Sequence, residues 1–259
     1  GSDGLVVCGS TGEAATMTLA EKKAAVQAVI DKVGGRTRIV VGAGTNCTAS
    51  TLELVKEFSG MAIDGLLIVW PYYNKPTQEG YYQHFAAVAK STKLPIIVYN
   101  VPGRTASNIA PATVARLARD FDNIVAVKEA AGNVAQTAEL FRLLPRDFSI
   151  YSGDDGLVLP FMSVGATGLI SVLSNIGGEG LQGIMQAYSD GRVKEAAELN
   201  AKLAPLCQAM FVETNPIPVK YAVTRVTGID VGAPRLPLTE ISHDAAEKVD
   251  RVLKEHNLL

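Results

Sequence analysis

Ile124-Val125-Ala126-Val127-Lys128, followed by Glu129-Ala130-Ala131-Gly132-Asn133, is the stretch on which the fold turns. A run this apolar and β-branched reads as a strand buried on both faces, the habit of parallel sheets flanked by helices. Its last residue then sits at the strand's carboxyl end, where parallel α/β proteins build their sites. An amine held there is partly out of water, which favours its neutral, nucleophilic form. The plainer alternative is a lysine that snorkels out of a strand end.

Working outward, short apolar runs alternate with amphipathic ones. The spacing predicts strands at about 4–8, 38–43, 65–70, 95–99, 124–128, 148–151 and 168–172. Thr18 with Glu21 reads as a capping box. It opens a helix whose stripe is Val26, Val29, Ile30 and Val33. Pro111 suits a first helical position, ahead of Val114, Leu117, Ala118 and Phe121. A third stripe is Val134, Ala138, Phe141 and Leu144. Unbroken β-then-α repetition argues for a (β/α)₈ barrel over an open doubly wound sheet. No G-x-G-x-x-G follows the first strand, which counts against a dinucleotide site. From 177 onward the pattern is helical, at 177–190, 192–213, after Pro218 and at 240–257. The expectation is an α/β fold, a (β/α)₈ TIM barrel lacking its first βα unit, over residues 1–176. A C-terminal helical region, 177–259, follows. An arc one strand short leaves two unpaired edges, a pairing hazard.

The chain has 259 residues, 47% hydrophobic and 19% charged, enough apolar material for a large core. A net charge of −2 with no basic block gives no footprint for nucleic acid. Cys8, Cys47 and Cys207 are odd in number and far apart, which fits reduced thiols in a cytoplasmic protein, with Cys8 in the core. His84, His243 and His256 show no metal-ligand spacing, so neither metal nor cofactor is expected. No apolar run approaches the ~18 residues of a membrane span, and no signal peptide is visible.

The chemistry-bearing motifs all follow strands. Gly9-Ser10-Thr11-Gly12-Glu13 can aim backbone N–H groups at a carboxylate, or be a plain turn. Trp70-Pro71-Tyr72-Tyr73-Asn74-Lys75-Pro76 offers phenols as proton carriers, or aromatic packing under a loop. Tyr99-Asn100-Val101-Pro102-Gly103-Arg104-Thr105 puts a phenol at a strand end and a guanidinium in the turn beyond. Arg104 suits a second carboxylate, or is a surface arginine. Ser152-Gly153-Asp154-Asp155 reads as a helix cap. The stretch Ser174–Gly180 reads as a loop and helix start. Together, a lysine nucleophile, a tyrosine proton carrier, a carboxylate cradle and an arginine clamp describe a cofactor-free Schiff-base condensation of a keto acid.

On the segments Gly9–Glu13, Tyr72–Gly80, Tyr99–Thr105, Val127–Ala130, Ser152–Asp155 and Asn215–Lys220, the chain resembles the pyruvate-dependent lyase superfamily. That superfamily includes the dihydrodipicolinate synthases and the N-acetylneuraminate lyases. Arg104 in its Tyr-Asn-Val-Pro-Gly-Arg-Thr loop leans toward the synthases. The resemblance implies condensation of pyruvate with aspartate semialdehyde to the lysine-pathway ring product. The alternatives are lyase action on a sugar acid, or a truncated non-catalytic paralogue. It implies that Lys128 forms the imine, that Thr11, Tyr99 and Tyr73 relay protons, and that Tyr73 reaches into a neighbouring subunit. It further implies that Ser10 and Thr11 hold the pyruvate carboxylate and Arg104 the semialdehyde. Gly153 and Ile170 line the pocket, and the assembly is a dimer or a dimer of dimers. Ser10 replaces the threonine usual in the synthases and keeps the hydroxyl. Near Asn46 and Tyr72, where members of the family bind inhibitory lysine, this chain has Leu19, Lys22 and Ser50, with Ala14 for a serine. Cationic Lys22 opposes a cationic effector, so lysine feedback is expected to be weak or absent.

Overall fold

Seven strands lie side by side in chain order in the computed structural model, which describes residues 1–259. They are β1 Gly4–Val7, β2 Arg38–Gly42, β3 Gly65–Val69, β4 Ile96–Asn100, β5 Ile124–Glu129, β6 Ser149–Ser152 and β7 Gly168–Leu169. Every pairing is parallel and between chain neighbours. β1 and β7 form the two ends of the row. Consecutive parallel pairing with a helix in each crossover is the barrel pattern the alternation predicts.

Six strands fall within a residue or so of their predicted bounds; the last does not. Residues 168–172 read as a strand, yet β7 covers only Gly168–Leu169. Ile170 still donates its N–H to Ser152 O (2.9 Å). Beyond it, the Asp155 carboxylate accepts the N–H groups of Val172 and Leu173, so that backbone serves a side chain instead of a ladder.

The helices are α1 Leu19–Val33, α2 Thr48–Ser59, α3 Gln78–Ser91, the single turn α4 Pro102–Thr105, α5 Pro111–Asp120, α6 Val134–Leu143 and the short α7 Val158–Ser163. Then come α8 Ser174–Ser189, α9 Val193–Ala209, α10 Ile217–Thr227 and α11 His243–Glu255. Both halves of the Thr18–Glu21 capping box form, and α1 stops at Gly34, which takes φ 54°. Pro111 is at the start of α5, as its missing N–H allows. α8 bends at Gly177. No helix is long and apolar enough to cross a membrane.

Two large apolar clusters and a small one hold these elements. The first lies between the sheet and its outer helices and includes Val26, Phe58, Phe85, Leu117, Leu140 and Phe161. The second joins Leu173 and Leu181 to Leu206, Met210, Val249 and Leu253, so the C-terminal helices pack onto the end of the sheet. The third lies on the inner face of the arc, where Leu67, Tyr99 and Val101 meet Val6, Val40, Ala130 and Ile170. A bulge in β5 sets its faces: Ile96 pairs with Ile124 and Ile97 with Ala126, so Val125 is the extra residue. From there Val127 joins the outer cluster while Lys128 stands beside Tyr99.

Gly42 closes β2 against the turn that follows β1. A methyl group there would run into the carbonyl oxygen of Cys8. Overpacking against backbone costs about 1–3 kcal/mol. Gly42→Ala should therefore lower stability by that amount in denaturant unfolding; a variant as stable as the parent would show that the turn yields freely.

Candidate active site

Pairing of β4 with β5 places Tyr99 beside Lys128. The Lys128 Nζ lies over the Tyr99 ring, 4.3 Å from its centroid, so the side chain runs inward and does not snorkel. Lys128 keeps some solvent contact, yet the atoms around its amine are dense enough to lower its pKa from 10.5 to about 8. Burial is the main cause; the Asp155 charge opposes it and the Arg104 charge adds to it. A workable fraction of free amine is therefore present near neutral pH.

Tyr99 is 7% exposed, and burial pushes its phenol up, with Arg104 and Ser10 pulling the other way. Ser10, in the turn after β1, thus acts on the phenol that lies under the amine. Thr11 Oγ1 accepts a hydrogen bond from Asn215 Nδ2 (3.0 Å). Arg104, carried on α4, donates from Nη2 to the Asn215 carbonyl (3.0 Å). One asparagine from the C-terminal region thereby ties the turn after β1 to the turn after β4.

Gly153 follows β6, and its N–H is bonded to Glu129 O (2.8 Å). A Cβ there would meet the Lys128 Cε at 3.1 Å and crowd Ala130, so this position admits only glycine beside the lysine stem. Ile170 packs in the inner cluster with Tyr99. Tyr73 stands apart. It is 87% exposed with φ 74°, on the segment after β3, and within this chain it does not join Lys128.

Two residues at the site had no role assigned from sequence, and a third takes another than the one expected. Asn215 belongs to a noted segment, but its hydrogen-bond partners lie more than a hundred residues away in the chain. Glu129 is 1% exposed; it accepts from Asn100 Nδ2 (2.8 Å), Gln136 Nε2 (3.0 Å) and the Ala131 N–H (2.7 Å). Its carboxyl is pushed up by burial while those donors pull it down. The acidic pair after β6 was read as a helix cap, and only half of it is one. Asp154 caps the Gly156 N–H (3.0 Å), whereas Asp155 turns inward and is 2% exposed.

A lysine, a phenol, a hydroxyl and a guanidinium thus gather at the carboxyl ends of the strands, the face on which (β/α)-barrel enzymes build their sites. Residues 1–256 match the dihydrodipicolinate synthetase family, and the chain belongs to it. Proteins named 4-hydroxy-tetrahydrodipicolinate synthase are 48% identical in Desulforudis audaxviator (100% of this chain, 87% of that one) and 49% identical in Heliobacterium modesticaldum (100% and 85%). The solved dihydrodipicolinate synthase of Thermotoga maritima superposes with a TM-score of 0.97 at 41% identity, covering 100% of this chain and 88% of that one. The chloride-inhibited enzyme of Acinetobacter baumannii complexed with pyruvate gives 0.96 at 39%, with the same coverage.

Burial of Lys128 sets the sign of a stability effect. Between about pH 8 and 10.5 the unfolded chain holds a proton on this lysine that the folded chain has released. Stability from this group is therefore lowest below about pH 8 and rises through that window by about 3 kcal/mol. Lys128→Met removes the effect. The variant's advantage over the parent in denaturant unfolding should be largest at neutral pH and shrink as pH rises; a pH-independent difference would contradict it.

Proposed function

We propose that this chain condenses pyruvate with L-aspartate 4-semialdehyde to 4-hydroxy-tetrahydrodipicolinate through an imine on Lys128. The observation that carries the reading is the Lys128 amine lying over Tyr99, at the barrel mouth where Asn215 joins Thr11 to Arg104. Each of these groups answers one need of the reaction.

The neutral amine adds to the keto carbon of pyruvate, and the carbonyl oxygen takes up two protons and leaves as water. In sum, amine, ketone and one proton give a protonated imine and water. Loss of a methyl proton gives an enamine, whose carbon bonds to the aldehyde carbon of the second substrate. The new alkoxide takes a proton. The amino group of the semialdehyde then displaces Lys128 from the imine carbon, which closes the ring and frees the amine. These transfers need a proton carrier that stays neutral in the resting site. Tyr99 suits this because burial keeps its phenol protonated. Thr11 and Tyr99, with Tyr73 of a neighbouring subunit, form the relay in this reading. The exposure of Tyr73 and its left-handed backbone agree with a residue held out for a partner.

Ser10 and Thr11 take the pyruvate carboxylate, and Arg104 takes that of the semialdehyde. The carbonyls of Gly153 and Ile170 line the pocket. The reading includes assembly as a dimer or tetramer in the cytoplasm, and a (β/α)₈ barrel that lacks its first βα unit over these residues. In its support, β1 and β7 are the ends of the row, Leu5 on β1 is 40% exposed, and the matched relatives are longer than this chain.

Arg104 separates this reaction from other keto-acid chemistry. A lost charge-assisted bond to a carboxylate is worth about 1.5–3 kcal/mol. Arg104→Ala should lower kcat/KM for the semialdehyde about 10- to 100-fold while imine formation with pyruvate persists. Equal use of the semialdehyde by parent and variant, or cleavage of a sugar acid by the parent, would contradict the assignment.

A further inference from the structure

The bond between Asn215 and Thr11 has a direction as well as a length. Asn215 Nδ2 donates to Thr11 Oγ1 at 3.0 Å. Asn215 is 4% exposed, and its Oδ1 is shut off from water with no hydrogen-bond partner. Turning the amide over would bury two unpaired N–H donors in place of that one oxygen, the costlier arrangement.

A threonine hydroxyl has one hydrogen to give and two lone pairs with which to receive. Asn215 occupies one lone pair, so the Thr11 hydrogen cannot point back at the amide. Asn215 Nδ2 is also the one hydrogen-bond partner that Thr11 Oγ1 has within the chain. The hydrogen is therefore left for an acceptor that the chain does not supply. A carboxylate is the strongest such acceptor, since a bond to an ionised group is roughly twice as strong as a neutral one. We propose that Asn215 is a positioning residue for pyruvate, its amide turning the Thr11 hydroxyl so that the hydrogen meets the pyruvate carboxylate. This deepens the proposed function and rests on it.

The amide is not needed to hold the segment in place, because two other bonds do that. Glu13, two residues beyond Thr11, pairs with Lys220 on α10, and both side chains are largely buried. Arg104 Nη2 donates to the backbone carbonyl of Asn215 (3.0 Å), a group that any residue at this position retains. Asn215 thus meets the two substrate elements with different atoms. Its side chain serves the pyruvate turn, and its main chain serves the arginine assigned to the semialdehyde.

Asn215→Ala removes the donor and leaves both tethers. Parent and variant are titrated with pyruvate in the presence of borohydride, and the initial rate of adduct formation on Lys128 is read by mass. Half-saturation should need about tenfold more pyruvate in the variant, the loss of one well-aimed bond to a charged group. At saturating pyruvate, the KM for the semialdehyde should stay at the parent value. A residue that only tied the segments together would raise both, and that outcome overturns the inference. Thr11→Val keeps the shape of Thr11 and removes the hydroxyl, so in that chain Asn215→Ala should cost little more. A further tenfold loss there would show that the amide acts through another group. Asn215→Leu fills nearly the same space without a donor, and it decides by the same comparisons should the alanine variant not fold. An unmoved half-saturation overturns the inference alone. No adduct in the parent overturns the Schiff-base reading and the inference with it.

Discussion

Holding the Lys128 amine inside an apolar arc weakens its grip on a proton, and the neighbouring structure is arranged around that desolvation. β5 contributes an apolar outer face through Val127, and β4 contributes the Tyr99 ring beneath the amine. Gly153 follows β6, and nothing larger fits there beside the lysine stem. The bulge at Val125 keeps Lys128 in step with Tyr99. Each of these choices takes water away from one nitrogen, and the result is an amine with a pKa of about 8 where an exposed lysine would be a fixed cation.

The C-terminal helices are joined to this centre by polar as well as apolar contacts. Asn215 stands just ahead of α10 and bonds both to Thr11, in the turn after β1, and to Arg104, on α4. Glu13, in that same turn, pairs with Lys220 on α10 and accepts the Arg235 N–H. Asp155 fixes the backbone that leads into α8. The segments that would hold two different carboxylates are thus positioned by a region that contains no strand. Displacing the helical part would loosen both substrate elements at once.

Sequence alone made the architecture legible because its signals are local. Alternation of β-branched runs with helical stripes located all seven strands, and Thr18, Glu21 and Pro111 announced their helix starts by chemistry confined to a few residues. Lys128, Tyr99 and Arg104 were legible as neighbours because the pattern puts each at or just beyond a strand's carboxyl end, although Asn100 and Glu129 are the residues that close β4 and β5. The truncation of β7, the inward turn of Asp155 and the bridging by Asn215 depend on partners 17 to 204 residues away, which no local pattern encodes. Glu129 was overlooked beside its more conspicuous neighbour, although a carboxylate closing an apolar strand signals a buried, hydrogen-bonded group. The destination of Tyr73 lies beyond a single chain, since its side chain faces outward.

The most direct test of the account is the position of the covalent bond to pyruvate. Borohydride reduction with pyruvate, followed by peptide mass mapping, should place the adduct on Lys128, the amine whose pKa burial lowers. An adduct on another amine, such as the ion-paired Lys220, or none on the folded chain, would contradict the claim that desolvation at the end of β5 creates the nucleophile.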